Sequence, residues 1–285
     1  MGHLSLAGQT AVESPNSRIP ASHMHAASHP GRRNTVPEVT ALFWIIKMMS
    51  TTVGAAAADA LNLGWQFGLG GTTVVTGALF AAALMGQLRS HRYLPWLYWI
   101  TVLLASVFGT LVVDLLIARA GLPTGASTVV LSVALLATLV LWHRREGTLA
   151  LDAVDTPVRE RFYWLAVLLA FALGTAGGDW LIESLRLGYA QSALGFGVLV
   201  AVAAMARFGF GAGAAPMFWW AFVLTRPLGA ACRDLLAQPE ANGGLGLSTG
   251  AVNALFLAVV VGLVAYLSAL EHTADTTHDS SVSQG

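Results

Sequence analysis

Apolar residues fall in eight continuous runs separated by short polar breaks, at roughly 39–61, 72–89, 94–117, 126–143, 161–183, 190–207, 214–236 and 249–270. Long runs alternate with shorter ones of about seventeen residues that begin on small or polar side chains. At about 1.5 Å per residue even a short run covers about 25 Å, enough for a thin or locally adapted bilayer. Continuous runs exclude a β-barrel, whose strands alternate apolar and polar positions. The pattern predicts an all-α polytopic membrane helix bundle.

The long runs share one skeleton. FWIIKMMSTTVGAAAAD ends at Asp59, YWITVLLASVFGTLVVD at Asp114, YWLAVLLAFALGTAGGD at Asp179 and FWWAFVLTRPLGAACRD at Asp234. Each opens on an aromatic pair; a small residue follows six after the second aromatic, a Gly ten after and the Asp fifteen after. This is a fourfold internal repeat. Successive copies are offset by 55, 65 and 55 residues, as two rounds of duplication would leave them. Each copy holds two helices, about 39–91, 94–146, 159–209 and 214–270, so all four enter the bilayer in the same direction. Eight transmembrane helices from four parallel repeats, in two halves of two, are expected, related by an axis along the membrane normal.

Composition agrees with a membrane protein: 55% of residues are hydrophobic and 11% charged, and the mean hydropathy is positive. The zero net charge hides an uneven distribution. Arg18, Arg32, Arg33, Arg89, Arg92, Arg144, Arg145, Arg159, Arg161 and Arg207 fall on one predicted side, and only Arg119, Arg186 and Arg233 near the other. The positive-inside rule then puts both termini in the cytoplasm. An alkaline phosphatase fused after Gly285 is expected to be inactive, and an active fusion would reverse the topology. Residues 1–36 are polar, have no apolar core and read as a disordered cytoplasmic tail; 37–270 form one transmembrane domain, and 271–285 a short cytoplasmic tail. His23, His25 and His29 offer only a loose metal-binding cluster against the reading of an unstructured tail. Thr35 and Glu38 around Pro37 predict a capped helix start. The single Cys232 excludes an internal disulfide and reads as a packing residue.

The repeated positions suggest roles. The pairs Phe43/Trp44, Tyr98/Trp99, Tyr163/Trp164 and Phe218/Trp219 are expected at the lipid interface, where amphipathic rings anchor helices. Gly54, Gly109, Gly174 and Gly229, with Ser50, Ala105, Ala170 and Thr225 four residues before them, form small-xxx-small pairs that let helices approach. Asp59, Asp114, Asp179 and Asp234 lie about 22 Å beyond the Trp, near helix C-termini whose dipole opposes them. Either each reaches water or an Arg such as Arg119, Arg186 or Arg233, or together they line an outer cation site. Hard oxygen ligands of that kind suit magnesium, manganese, calcium or protons. Lys47 and Arg226 are intramembrane charges, costly and usually functional. Lys47 shares a helix face with Thr51 and Gly54, and Pro227 after Arg226 predicts a kink. Asn253 reads as polar packing glue within the eighth helix.

With KMMSTTVGAAAAD in the first copy and TRPLGAACRD in the last, the stretch from Pro37 to Leu270 resembles a bacterial integral membrane family defined by a fourfold repeat of unknown function. The resemblance implies topology and repeat number. It also implies an acidic residue directly after the first Gly, where this chain has Ala55. The leading expectation is a transporter of small cations, either a divalent metal or proton-coupled, with the Asp set as the outer site and Lys47 and Arg226 as internal charge elements. The alternative is a non-transporting membrane assembly or sensory partner whose repeats only pack the bundle. No nucleophile–base pair, HExxH helix or phosphate-binding Gly loop occurs, so an enzyme is not expected. The expected partners are the lipid bilayer and a small cation; no cofactor and no nucleic acid are implied, and oligomeric state stays open.

Overall fold

In the computed structural model, residues 34–64, 68–151 and 154–282 are described. The expectations for the N-terminal tail, including the three His residues, fall almost wholly outside them. The described residues form eight α-helices and no strand: α1 (Ala41–Gly64), α2 (Gly68–Arg89), α3 (Pro95–Ala120), α4 (Thr124–Glu146), α5 (Pro157–Leu185), α6 (Tyr189–Phe208), α7 (Ala214–Ala237) and α8 (Thr249–Val282). α3 and α4 end on Gly121 and Gly147 at φ +64° and +72°, a left-handed turn that a side chain would strain. α1 starts later than Thr35 and Glu38 suggested. Thr40 caps it instead, its hydroxyl accepting from Phe43 N at 3.4 Å, while the Thr35 hydroxyl is buried with no partner. α8 runs on past residue 270 to Val282, so no helix end marks the expected domain boundary.

The four repeat-bearing helices α1, α3, α5 and α7 pack in cyclic order, α1 on α3, α3 on α5, α5 on α7 and α7 back on α1. Each outer helix leans chiefly on the inner helix that follows it: α2 on α3, α4 on α5, α6 on α7, and α8 on α1. The packing unit is thus offset from the repeat unit by one helix, and the last helix closes the ring on the first. Burial follows the same division. Half of the membrane-length stretch of α1 and of α3 is buried, and 44% of α5, against 22% for α2 and α4 and 17% for α6 and α8. The outer helices expose Val74, Val129, Leu136, Leu194, Leu255 and Val261, the surface a lipid solvent accepts.

Seven helices are long and apolar enough to cross a membrane by length and composition. The exception is α7, whose 24 residues include Arg226, Arg233 and Asp234. It occupies the fourth inner position, where α1, α5, α6 and α8 cover it. A helix shielded from lipid can hold charges that a lipid-facing one cannot.

Matching repeat positions meet at matching levels around the ring, so the inner helices run in one direction. Absent Cβ atoms show it. A Cβ on Gly54 would lie 2.9 Å from Ser106 Oγ on α3, one on Gly109 3.3 Å from Phe171 Cβ on α5, and one on Gly174 2.8 Å from Arg226 Cβ on α7. One on Gly229 would meet Thr52 and Met48 of α1 and so complete the circuit. Ser106, Phe171 and Arg226 each stand seven residues after the Trp of their copy, and Thr52 eight after Trp44. The Gly of each copy therefore receives the same turn of the next helix, the close approach that small residues permit in membranes.

The aromatic pairs correct the sequence expectation. They do not form an interfacial belt: Phe43, Tyr98, Trp99, Tyr163, Trp164, Phe218 and Trp219 are buried inside the bundle, and Trp44 half-buried. The first ring of each copy meets the second ring of the next. Phe43 lies 5.6 Å from Trp99, Tyr98 5.5 Å from Trp164, Tyr163 6.1 Å from Trp219, and Phe218 5.5 Å from Trp44. The Tyr98 and Tyr163 hydroxyls share a hydrogen bond of 2.5 Å. Aromatic residues at helix starts suit a lipid interface equally well; fourfold closure turns these inward, where offset and edge contacts form a collar across one end of the ring.

A charged centre inside the inner ring

Beyond the collar, the third and seventh positions after each Trp face the ring interior. Lys47, Val102, Val167 and Phe222 occupy the third; Thr51, Ser106, Phe171 and Arg226 the seventh; all eight are buried. Lys47 and Arg226 are the two cations in this frame, at 0% and 3% exposure. Sequence spacing puts them on α1 and α7, and ring closure makes those helices neighbours.

Each cation crosses into other helices. Lys47 Nζ donates to Phe222 O at 2.5 Å and to Thr225 Oγ1 at 2.6 Å on α7. It also lies 4.3 Å from the Phe222 ring and 5.2 Å from the Phe171 ring on α5, a cation–π environment. Arg226 Nη1 donates to Thr51 O on α1 at 3.1 Å, and its Nη2 to Thr110 Oγ1 on α3 at 2.6 Å. Between them the two side chains touch all four inner helices. Their hydrogen-bond partners are neutral carbonyl and hydroxyl oxygens, and among the described residues neither cation forms a salt bridge. Arg226 Nε is buried with no partner.

Pro227 lies inside α7, as expected, where it cannot donate a hydrogen bond to Val223 O. That carbonyl faces Gly174, whose Cβ would lie 2.8 Å from it, and a Cβ on Gly178 would lie 2.6 Å from Pro227 Cβ. The two glycines of α5 make room for the proline turn that carries Arg226. Gly178 was not among the sequence candidates; its signal was the GG directly before Asp179.

The four Asp residues stand at the other end of the inner helices. Asp59 is exposed, with 61% of its side chain accessible, and Asp179 is exposed; Asp114 and Asp234 are intermediate. Arg233 joins two of them: its guanidinium lies 2.8 Å from Asp234 Oδ1 and 3.9 Å from Asp59 Oδ2. Asp114 and Asp179 make no hydrogen bond or ion pair among the described residues, although both feel the charges of Asp59 and Arg226. No group of three or more His, Cys, Asp or Glu converges there or elsewhere among the described residues. The quartet is thus divided into an Arg-linked pair and two carboxylates without fixed partners.

Comparison with known proteins matches the chain four times to a family described as a Repeat of Unknown Function (DUF347), over residues 42–93, 97–148, 162–211 and 217–273. The chain belongs to this repeat family. Each matched segment takes in one inner helix and the outer helix that follows it, so the family's unit is the sequence repeat and not the packing pair. No curated protein and no solved structure matches the chain. Lys47 and Arg226 are single departures from the fourfold pattern within this chain.

Proposed function

We propose that this multi-pass membrane protein is a proton-coupled transporter of a small solute, with the inner ring as its path and the proton as the small cation it handles. The observation that carries this reading is the pair of buried cations reaching across the ring from α1 and α7. Charges at such depth are expensive and usually serve a path or a relay. Protons are favoured over a divalent metal by the outer end. Metal coordination asks for several converging oxygen ligands, whereas a proton needs one free carboxylate, and Asp114 and Asp179 are two such groups. The collar closes one end of the ring, as an alternating-access transporter requires in one of its states.

A non-transporting bundle is favoured by one observation. The cations bond oxygens that a static cross-tie would also use, so a purely structural role predicts the same contacts. The two readings part in function. Reconstituted in liposomes on a solid-supported membrane, the wild-type protein is expected to give a transient current on a pH step. The Asp114→Asn/Asp179→Asn variant should give at least about tenfold less, the scale of effect when a proton-carrying group is removed. Equal currents from both, or none from the wild type, would remove the proposal. A current evoked by manganese or magnesium steps instead would return the divalent metal as the cation.

A further inference from the structure

We infer that the ring centre is a binding site for a small anion, a monocarboxylate such as formate or an inorganic monoanion of similar size, held between Lys47 and Arg226. The inference deepens the transport reading and rests on it for the anion being the cargo, but the binding site itself can be tested without transport.

Two positive side chains lie inside one ring with no carboxylate bonded to either, and a low-dielectric interior makes charge without a bonded counter-ion costly. No protein carboxylate bonds to either among the described residues; Asp179, Asp59 and Asp114 act on Arg226 only across space. The oxygens they now hold are neutral, and ionised acceptors form shorter and roughly twice as strong hydrogen bonds. An entering anion therefore gains more than the present partners lose. Those partners are not left stranded: Thr110 Oγ1 also donates to Ser106 O at 3.0 Å, and Thr225 Oγ1 to Ala221 O at 2.9 Å. The buried, unpartnered Arg226 Nε supplies a further donor.

Size and sign follow from the surroundings. Phe171 and Phe222 border Lys47, and Gly174 presses on Arg226 Cβ, so a bulky solute would have to displace ring-forming contacts. The hydroxyls of Thr51, Ser106 and Thr225, and of Thr110 one turn further on, already have backbone partners, so they can serve an anion only as secondary polar contacts. A cation at the same place would meet two charges of its own sign.

The test is titration calorimetry of the purified full-length protein in neutral detergent with sodium formate, sodium nitrate and sodium chloride, each against a matched heat of dilution. At least one salt is expected to give a saturable one-site isotherm, absent or weakened more than about tenfold in Lys47→Met/Arg226→Met. Arg226→Lys keeps the charge but loses the two-armed reach, and should bind about tenfold more weakly than the wild type. Absence of saturable binding by the wild type overturns the site, as does equal affinity in the double variant. Should the double variant not fold, an Arg226→Lys affinity equal to wild type overturns Arg226 as a ligand. Saturable binding in a protein that gives no pH-step current would keep the anion site and remove the transport reading; a current without anion binding would do the reverse.

Discussion

Gly174→Leu is expected to keep the ring from closing. A Cβ there would already lie 2.8 Å from both Val223 O and Arg226 Cβ, and Leu adds three further carbons. Val223 O is backbone on a helix held at Pro227, so it cannot swing aside as a side-chain tip would. Overpacking of this kind costs about 1–3 kcal/mol and occasionally more. The upper end is expected, because a shift of α7 also breaks the bonds Arg226 makes to α1 and α3 and those Lys47 makes to α7. The readout is the monodisperse fraction in mild detergent and its melting temperature, with Gly262→Ala on α8 as control, since a Cβ there meets nothing within 4 Å. A Gly174→Leu protein that melts with the wild type would show that α5 and α7 do not approach as described.

Much of this architecture was legible because it repeats. Spacing alone placed the aromatic pair, small residue, Gly and Asp at fixed depths on four like-directed helices, and the small-xxx-small pairs indicated that those helices approach closely. What spacing could not supply was rotation about the helix axis. An aromatic residue at a helix start suits lipid as well as a neighbouring ring, so spacing points to the interface, whereas the contact of Phe218 with Trp44 across the closure turns the rings inward. Ring closure was equally hidden, since α1 and α7 lie far apart in sequence and only their contact brings Lys47 to Phe222 and Thr225. Thr110 could have been found by laying the copies in register: it stands one turn beyond the seventh position after Trp99, on the face Arg226 crosses to reach. Arg233 was visible as a charge near the outer end and Asp234 is its neighbour in the chain, but its reach to Asp59 follows from closure as well. The repeat therefore carries depth, and the ring carries partnership.

Replacing both central cations should separate stability from function. In Lys47→Met/Arg226→Met each polar partner keeps another bond: Thr110 and Thr225 still donate to their own helices, and Phe222 O still accepts from Thr225 at 3.2 Å. Removing a donor is costly when it strands a buried acceptor, and here it strands little. Meanwhile two charges leave a low-dielectric interior, and Met fills a similar volume flexibly. Exchanging buried charge for apolar packing is often neutral, or stabilising by about 1–4 kcal/mol. The double variant is thus expected to melt at or above the wild-type temperature while its pH-step current falls by at least about a hundredfold. Such a result would mean that the cations cost the fold stability and serve the path. A double variant that melts well below wild type would mark Lys47 and Arg226 as cross-ties among α1, α3 and α7, and the non-transporting bundle would then describe the protein better. Arg226→Met and Lys47→Met singly refine this: each leaves one cation without its like-charged neighbour, so a melting temperature that rises stepwise from wild type through the single to the double variants is the signature of charge relief rather than of lost contacts.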